Sequence, residues 1–294
     1  MSYRPIVMDL FCGCGGLSIG LEKAGAEIKW ASENWVSAAK TYQETHPKTF
    51  LLEEDALSLY SRVLNKEDGL PRRGEVDILV GGPPCQGFSG FNRYRSPDDP
   101  RNSMVDLFLD FADTLRPRYI VMENVPGMLS MDEGKIVAEI MKTFPLLGYK
   151  ASLAVLQAGY YGLPQNRWRV FIIAALEGEA FPAFPEPTHE FPRTTVFGAT
   201  KYKNCIMHPP KEKDLFWLPK NTVTVGDSIS DLPAIDNGAR CNQLEYSSAS
   251  FSQYQESLRD GSKYVYDHVC PNHGGIMYQR ICAIPKRPGA GWIS

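Results

Sequence analysis

A cysteine on a proline-stiffened turn is the residue best placed for chemistry. Cys85 stands within Gly81-Gly82-Pro83-Pro84-Cys85-Gln86-Gly87-Phe88-Ser89, directly after the apolar run Val76-Asp77-Ile78-Leu79-Val80. The glycines allow a tight turn and close approach of a ligand. The prolines fix φ and bias the residue before each toward extended backbone. A side chain there is presented at the carboxyl end of a strand, where open α/β sheets bind their ligands. A merely buried cysteine needs no such setting, so the thiol reads as a nucleophile.

Three further groups of residues accompany it. Asp9-Leu10-Phe11-Cys12-Gly13-Cys14-Gly15-Gly16 lies between an apolar strand and a helix, where glycines and free helix N–H groups form a ligand cradle. Glu33 follows a second strand about twenty residues on, the position of the acidic residue that takes a ribose in dinucleotide folds. Asp55 can accept from an adenine amino group. The glycine spacing is not G-x-G-x-x-G, and no Lys-Ser/Thr pair follows, which argues against a P-loop. Glu123-Asn124-Val125-Pro126-Gly127 ends another strand, where a partly desolvated carboxylate suits proton donation. In Gln165-Asn166-Arg167-Trp168-Arg169 the two arginines share a face at period two and can clamp a carboxylate or a phosphate. Cys12-x-Cys14 is too tight for a usual zinc pair, and His268, Cys270, His273 and Cys282 match no strong metal spacing; no metal is expected.

The elements that position these groups alternate. Strands are expected at Ile6–Phe11, Ile28–Ser32, Val76–Val80, Tyr119–Glu123, Lys150–Leu156 and Val170–Ala175. Helical spacing appears in Leu17, Leu21 and Ala24 with Gly25 as a stop, in Val36–Glu44, in Met104–Leu115, and in Ile136, Val137, Ile140 and Met141. This βαβ series predicts an α/β fold, an open, mostly parallel sheet with helices on both faces. From about residue 178 prolines become frequent and periodicity fades. Residues 1–177 are therefore expected to form one domain and 178–294 an irregular, partly extended second lobe.

The 294 residues are 43% hydrophobic, as in a globular protein, and carry a net charge of −3. That charge argues mildly against a small nucleic-acid-binding module, although Arg93, Arg95 and Arg101 cluster shortly after Cys85. No run of 18 apolar residues is present, so no membrane-spanning helix is expected. The first residues lack the regions of a signal peptide, and an intracellular protein with reduced thiols is expected.

The four motifs occur in the order found in the DNA cytosine-5 methyltransferases, and the chain resembles that family over residues 5–294. Phe184-Pro185-Glu186-Pro187-Thr188-His189, Thr224 to Pro233, and Ile284-Pro285-x-x-Pro288-Gly289 resemble its eukaryotic maintenance branch. The resemblance implies a class I S-adenosylmethionine-dependent methyltransferase fold plus part of a target-recognition lobe. It implies S-adenosylmethionine held by Asp9, Phe11, Gly13, Gly15, Gly16, Glu33, Asn34, Asp55, Ala56, Pro83 and Leu107. It implies catalysis by Cys85, Glu123, Arg167 and Arg169, and a flipped cytosine in double-stranded DNA at CpG sites. Gln86, Ser89, Phe91, Arg93, Arg95 and Arg101 would meet the nucleic acid, and the protein would be nuclear. Beyond Trp292 the family continues with the rest of the lobe, an Arg-rich motif and a Gly-Asn-x-Val-Pro motif beside the cofactor turn. Their absence here, with that of the large N-terminal regions, implies a fragment or truncated product, with a split enzyme and partner subunit as the alternative. A tRNA cytosine methyltransferase, a non-catalytic regulator with the same fold and a small-molecule methyltransferase are the rival readings.

Overall fold

The computed structural model describes residues 3–84, 103–192, 200–209 and 220–285. The chain divides into two compact units, Met1–Tyr161 with Asn166–Lys220, and Gly162–Gln165 with Asn221–Ser294.

The first unit opens with β1 (Ile6–Leu10), α1 (Gly16–Lys23), β2 (Glu27–Ser32), α2 (Val36–Thr45), β3 (Phe50–Leu52) and α3 (Ala56–Leu64). It continues through β4 (Ile78–Gly81), α4 (Ser103–Leu115), β5 (Tyr119–Asn124), α5 (Lys135–Leu146), β6 (Tyr149–Gln157) and β7 (Trp168–Leu176). The strands lie in the order β3-β2-β1-β4-β5-β7-β6. The first five are parallel to their neighbours, and β7 runs antiparallel to both β5 and β6. The order reverses between β1 and β4, which opens a crevice at the carboxyl ends of those strands.

Side-chain alternation explains the layers. Met8, Leu10, Leu79, Ile120, Met122 and Ile172 point to one face and join Leu59 and Val63 of α3, Phe108 and Phe111 of α4, and Ile140 and Phe144 of α5. Val7, Ile28 and Val80 point the other way, toward Leu17 and Leu21 of α1. Both faces are covered, so the parallel strands read as nearly continuous apolar runs.

The elements differ from those expected in two places. The short edge strand β3 and helix α3 were not anticipated, because three strand residues cannot display a period. Residues 221–285 are not irregular: they hold α6 (Val225–Ile229), β8 (Arg240–Glu245), α7 (Gln253–Arg259), β9 (Tyr264–Val269) and α8 (Gly275–Cys282), with β8 and β9 an antiparallel ribbon. Their pattern is hard to read because this unit has no apolar centre. Among its described residues only Gly162, Asp231 and Gln255 are buried. Asp231 accepts from Arg259 Nε and Nη2 at 2.9 and 2.7 Å, and Arg259 lies 3.9 Å from the Tyr246 ring centre. The boundary expected at 177/178 differs from that of the compact units. The described residues between 178 and 220 fall in the first unit, tied there by Thr188 and His189 N–H groups donating to the Tyr160 carbonyl and by a bridge between Val155 and Ile206.

Candidate active site

The turn after β1 is held from three sides. The Cys12 N–H donates to the Ser32 carbonyl at 3.0 Å and the Gly13 N–H to Glu33 Oε2 at 2.9 Å. The Trp35 N–H donates to Glu33 Oε1 at 2.8 Å, so one carboxylate joins the turn to the end of β2. Phe11 adopts φ +59°, a left-handed conformation that costs a non-glycine residue energy and concentrates at functional sites. Gly15, at φ +90°, lies against the His46 ring. A Cβ there would fall 2.4 Å from His46 Nε2. Among the described residues nothing lies within 4 Å of a Cβ placed on Gly13 or Gly16, so they leave this side of the turn open.

Asp9 does not reach that open side. It is 0% exposed, and its Oδ2 accepts from Ser18 Oγ of α1 at 2.6 Å. Ser18 Oγ lies 2.8 Å from the Tyr42 hydroxyl of α2. Asp9 Oδ1 is buried with no hydrogen-bond partner among the described residues. Burial, with a smaller contribution from the Glu33 charge, pushes the Asp9 carboxyl up to about 7 against the bonds from Ser18. Burial likewise raises the Cys12 thiol and the Tyr42 hydroxyl. Asp9 therefore braces α1 and α2 beneath the turn.

The other predicted cofactor residues are spread around the crevice. Asn34 is exposed. Asp55 caps α3, its Oδ1 accepting from the Leu57 N–H at 2.9 Å. Ala56 and Leu107 belong to the main apolar cluster. Pro83 is buried, and its carbonyl accepts from Asn124 Nδ2 at 3.3 Å. At the end of β4 a Cβ on Gly81 would lie 2.4 Å from the Leu10 carbonyl oxygen, so only glycine lets β4 approach β1 this closely.

Two of the catalytic candidates, Glu123 and Arg169, meet on strands that are neighbours in the sheet, β5 and β7. Glu123, at the end of β5, is ion-paired through Oε1 with Arg169 Nε of β7 at 2.7 Å. Both side chains are about one-fifth exposed, 23% and 21%. Glu123 Oε2 lies 3.3 Å from where a Cβ on Gly82 would stand. Arg169 also donates to the Trp168 carbonyl at 2.7 Å. Arg167 is exposed while Trp168 between the two arginines is buried. Cys85, Gln86, Ser89, Phe91, Arg93, Arg95 and Arg101 lie outside the described residues.

Two residues without an assigned role join the site. Trp35 is 69% exposed beside Glu33, and its position two residues after the acidic residue is a usable signal. Asn124, buried at the end of β5, ties the Pro83 carbonyl and caps its own strand by accepting from the Val125 N–H at 2.9 Å. Asn124 sits inside a recognised motif, but its contact spans 41 residues and is not visible in the chain order.

Strand order and crevice are those of a doubly wound α/β domain with an antiparallel strand pair at one edge. The sequence matches the family model for C-5 cytosine-specific DNA methylase over residues 6–271, and the chain belongs to that family. DNA (cytosine-5)-methyltransferase 1 of Gallus gallus is 37% identical over 97% of this chain, and that of Mus musculus 38% identical over 97%. The match spans 19% and 18% of those two proteins, so the chain covers about a fifth of the length of the curated relatives it matches. Among solved structures, a prophage-encoded protein of E. coli superposes with a TM-score of 0.64 at 22% identity, over 96% of this chain and 76% of that one. The DNMT2 of Spodoptera frugiperda does so with a TM-score of 0.50 at 23% identity, over 79% and 60%. These two likenesses show the fold.

Proposed function

We propose that this chain is the catalytic portion of a DNA methyltransferase that uses S-adenosylmethionine to methylate C5 of cytosine at CpG sites in nuclear duplex DNA. The observation that carries the reading is the Glu123–Arg169 pair, set against Gly82 three residues before Cys85 in the chain. The alternative of a non-catalytic regulator is less favoured because Cys85, Glu123, Arg167 and Arg169, which such a protein would be free to lose, are all present.

The residues present fit the cofactor. The open side of Gly13 and Gly16 at the start of α1 admits a ligand's backbone-close approach. Each Glu33 oxygen accepts one N–H and retains a second lone-pair direction for a ribose hydroxyl. Trp35 offers a flat apolar face for a purine. When bound, the cofactor supplies an electrophilic methyl group and leaves as S-adenosylhomocysteine.

The chain's own residues do the rest. Cys85, as thiolate, forms a bond to C6 of the cytosine, and the displaced electron pair makes C5 nucleophilic. Glu123 meets N3 through the oxygen not paired with Arg169 and shares a proton with it, drawing charge off the ring. Arg169, assisted by Arg167, holds the O2 side of the base. C5 takes the methyl group, loses its proton to a base, and the C6–sulfur bond breaks to return the thiolate. The base must leave the duplex for this, at a cost of a few kcal/mol. Phe91, Arg93, Arg95 and Arg101 would support the extruded state through stacking and phosphate contacts. Residues 178–294 would contribute to target recognition.

The test is a duplex oligonucleotide carrying 5-fluorocytosine at a CpG, incubated with the protein and cofactor. A covalent protein–DNA species mapping to position 85, absent in Cys85→Ser, is the expected result. A full yield of adduct in Cys85→Ser removes the nucleophile. Transfer to tRNA but not to duplex DNA would replace DNA as the substrate.

A further inference from the structure

Gln157, the last residue of β6, is 0% exposed and has no part in the chemistry above. Its Oε1 accepts from the Gly159 N–H at 3.0 Å and from the Arg167 N–H at 3.2 Å. Its Nε2 donates to Asn166 Oδ1 at 2.8 Å. The Arg167 carbonyl in turn accepts from the Ala158 N–H at 2.9 Å. Both backbone groups of Arg167 are therefore held by the end of β6. Around this clamp the chain has little freedom. The Phe191 ring fills the space a Cβ at Gly159 would occupy, with Phe191 Cδ2 only 2.1 Å from that point. Trp168, opposite Gln157 in the β6–β7 register, packs edge-on to Tyr160 at 5.9 Å.

We propose that Gln157 is a positioning residue for the arginine pair: its amide sets the point at which the chain enters β7, and so where Arg167 and Arg169 stand over the base. The proposal rests on the methyltransferase reading and deepens it. A glutamine is required by geometry and charge. Asparagine is one methylene shorter and cannot reach both N–H groups. Leucine leaves the buried Gly159 N–H and the partly buried Arg167 N–H without this acceptor. Glutamate keeps the acceptor but has no donor for Asn166 Oδ1 unless it is protonated, and it places a carboxylate where water does not reach.

The distinguishing readout is the separation of transfer rate from cofactor affinity. β7 lies three strands from β1, about 14 Å at ~4.8 Å per strand, so the cofactor turn is remote from the clamp. Gln157→Leu in the 294-residue chain is expected to lower the single-turnover methyl-transfer rate on a CpG duplex by about 100-fold, the loss typical of a 1 Å misplacement. The dissociation constant for S-adenosylmethionine should stay within about twofold, as proximity effects leave remote binding untouched, and amide exchange at Gly159 and Arg167 should accelerate. Gln157→Glu preserves size and serves where leucine fails to fold; its rate relative to wild type should recover as pH falls and the side chain regains a proton to donate. Variant rates equal to wild type, or rate and cofactor affinity falling together, overturn the positioning role while leaving the methyltransferase reading intact. A wild-type chain that methylates no cytosine acceptor overturns both.

Discussion

Asp9→Asn isolates the buried carboxyl beneath the turn that follows β1. The carboxyl is raised from an ordinary 3.8 to about 7, chiefly by burial. In the unfolded chain it titrates near its ordinary value. Below about pH 4 both states hold the proton, and the native state has its full stability from this group. As pH rises from about 4 to about 7 the unfolded chain releases the proton while the native state keeps it, so stability falls. Above that window the loss is complete and the curve is flat. At ~1.4 kcal/mol per unit over about three units, the loss is about 4 kcal/mol. Asparagine is isosteric, still accepts from Ser18, and does not titrate. The stability of Asp9→Asn minus that of wild type should therefore rise by about 4 kcal/mol between pH 4 and pH 8. Urea unfolding followed by tryptophan fluorescence across that range measures it, and subtraction cancels the other carboxylates. A difference that stays constant with pH refutes the reasoning, since it would mean that Asp9 titrates in the folded protein as it does in the unfolded chain.

Two further substitutions test the crevice. Glu33→Ala should weaken S-adenosylmethionine binding at least tenfold by calorimetry, because charged hydrogen bonds contribute about 1.5–3 kcal/mol each; an unchanged affinity would take Glu33 out of the pocket. Gly81→Ala forces a methyl group against the Leu10 carbonyl and the Phe108 ring. It should cost about 3 kcal/mol as overpacking between two strands that cannot separate, and a urea midpoint equal to wild type would contradict that packing.

The βαβ series was legible because its strands are buried on both faces and its helices repeat their apolar residues at fixed intervals, as in Val105, Phe108, Ala112 and Leu115 of α4. The short β3 and the second unit were less legible. That unit is organised around the Asp231–Arg259 pair, and a polar centre leaves no apolar rhythm in the chain. Of the site, Glu33 and Glu123 could be singled out from motif and strand end. That Asp9 would serve α1 and α2 from below could not, because its direction depends on how β1 is layered against those helices.

Residue types and local order alone determined the identity of the motifs, the alternation of strand and helix, and the family to which the chain belongs. Turn chemistry, helical periodicity and strand burial are all written within a few residues of one another. Tertiary structure alone decided the pairings: Glu123 with Arg169, the Pro83 carbonyl with Asn124, and Gln157 with Arg167. In the first two, residues more than 40 positions apart come within hydrogen-bonding distance because β4, β5 and β7 are neighbours in the sheet. That neighbourhood follows from closing the whole core and from no single segment of the chain.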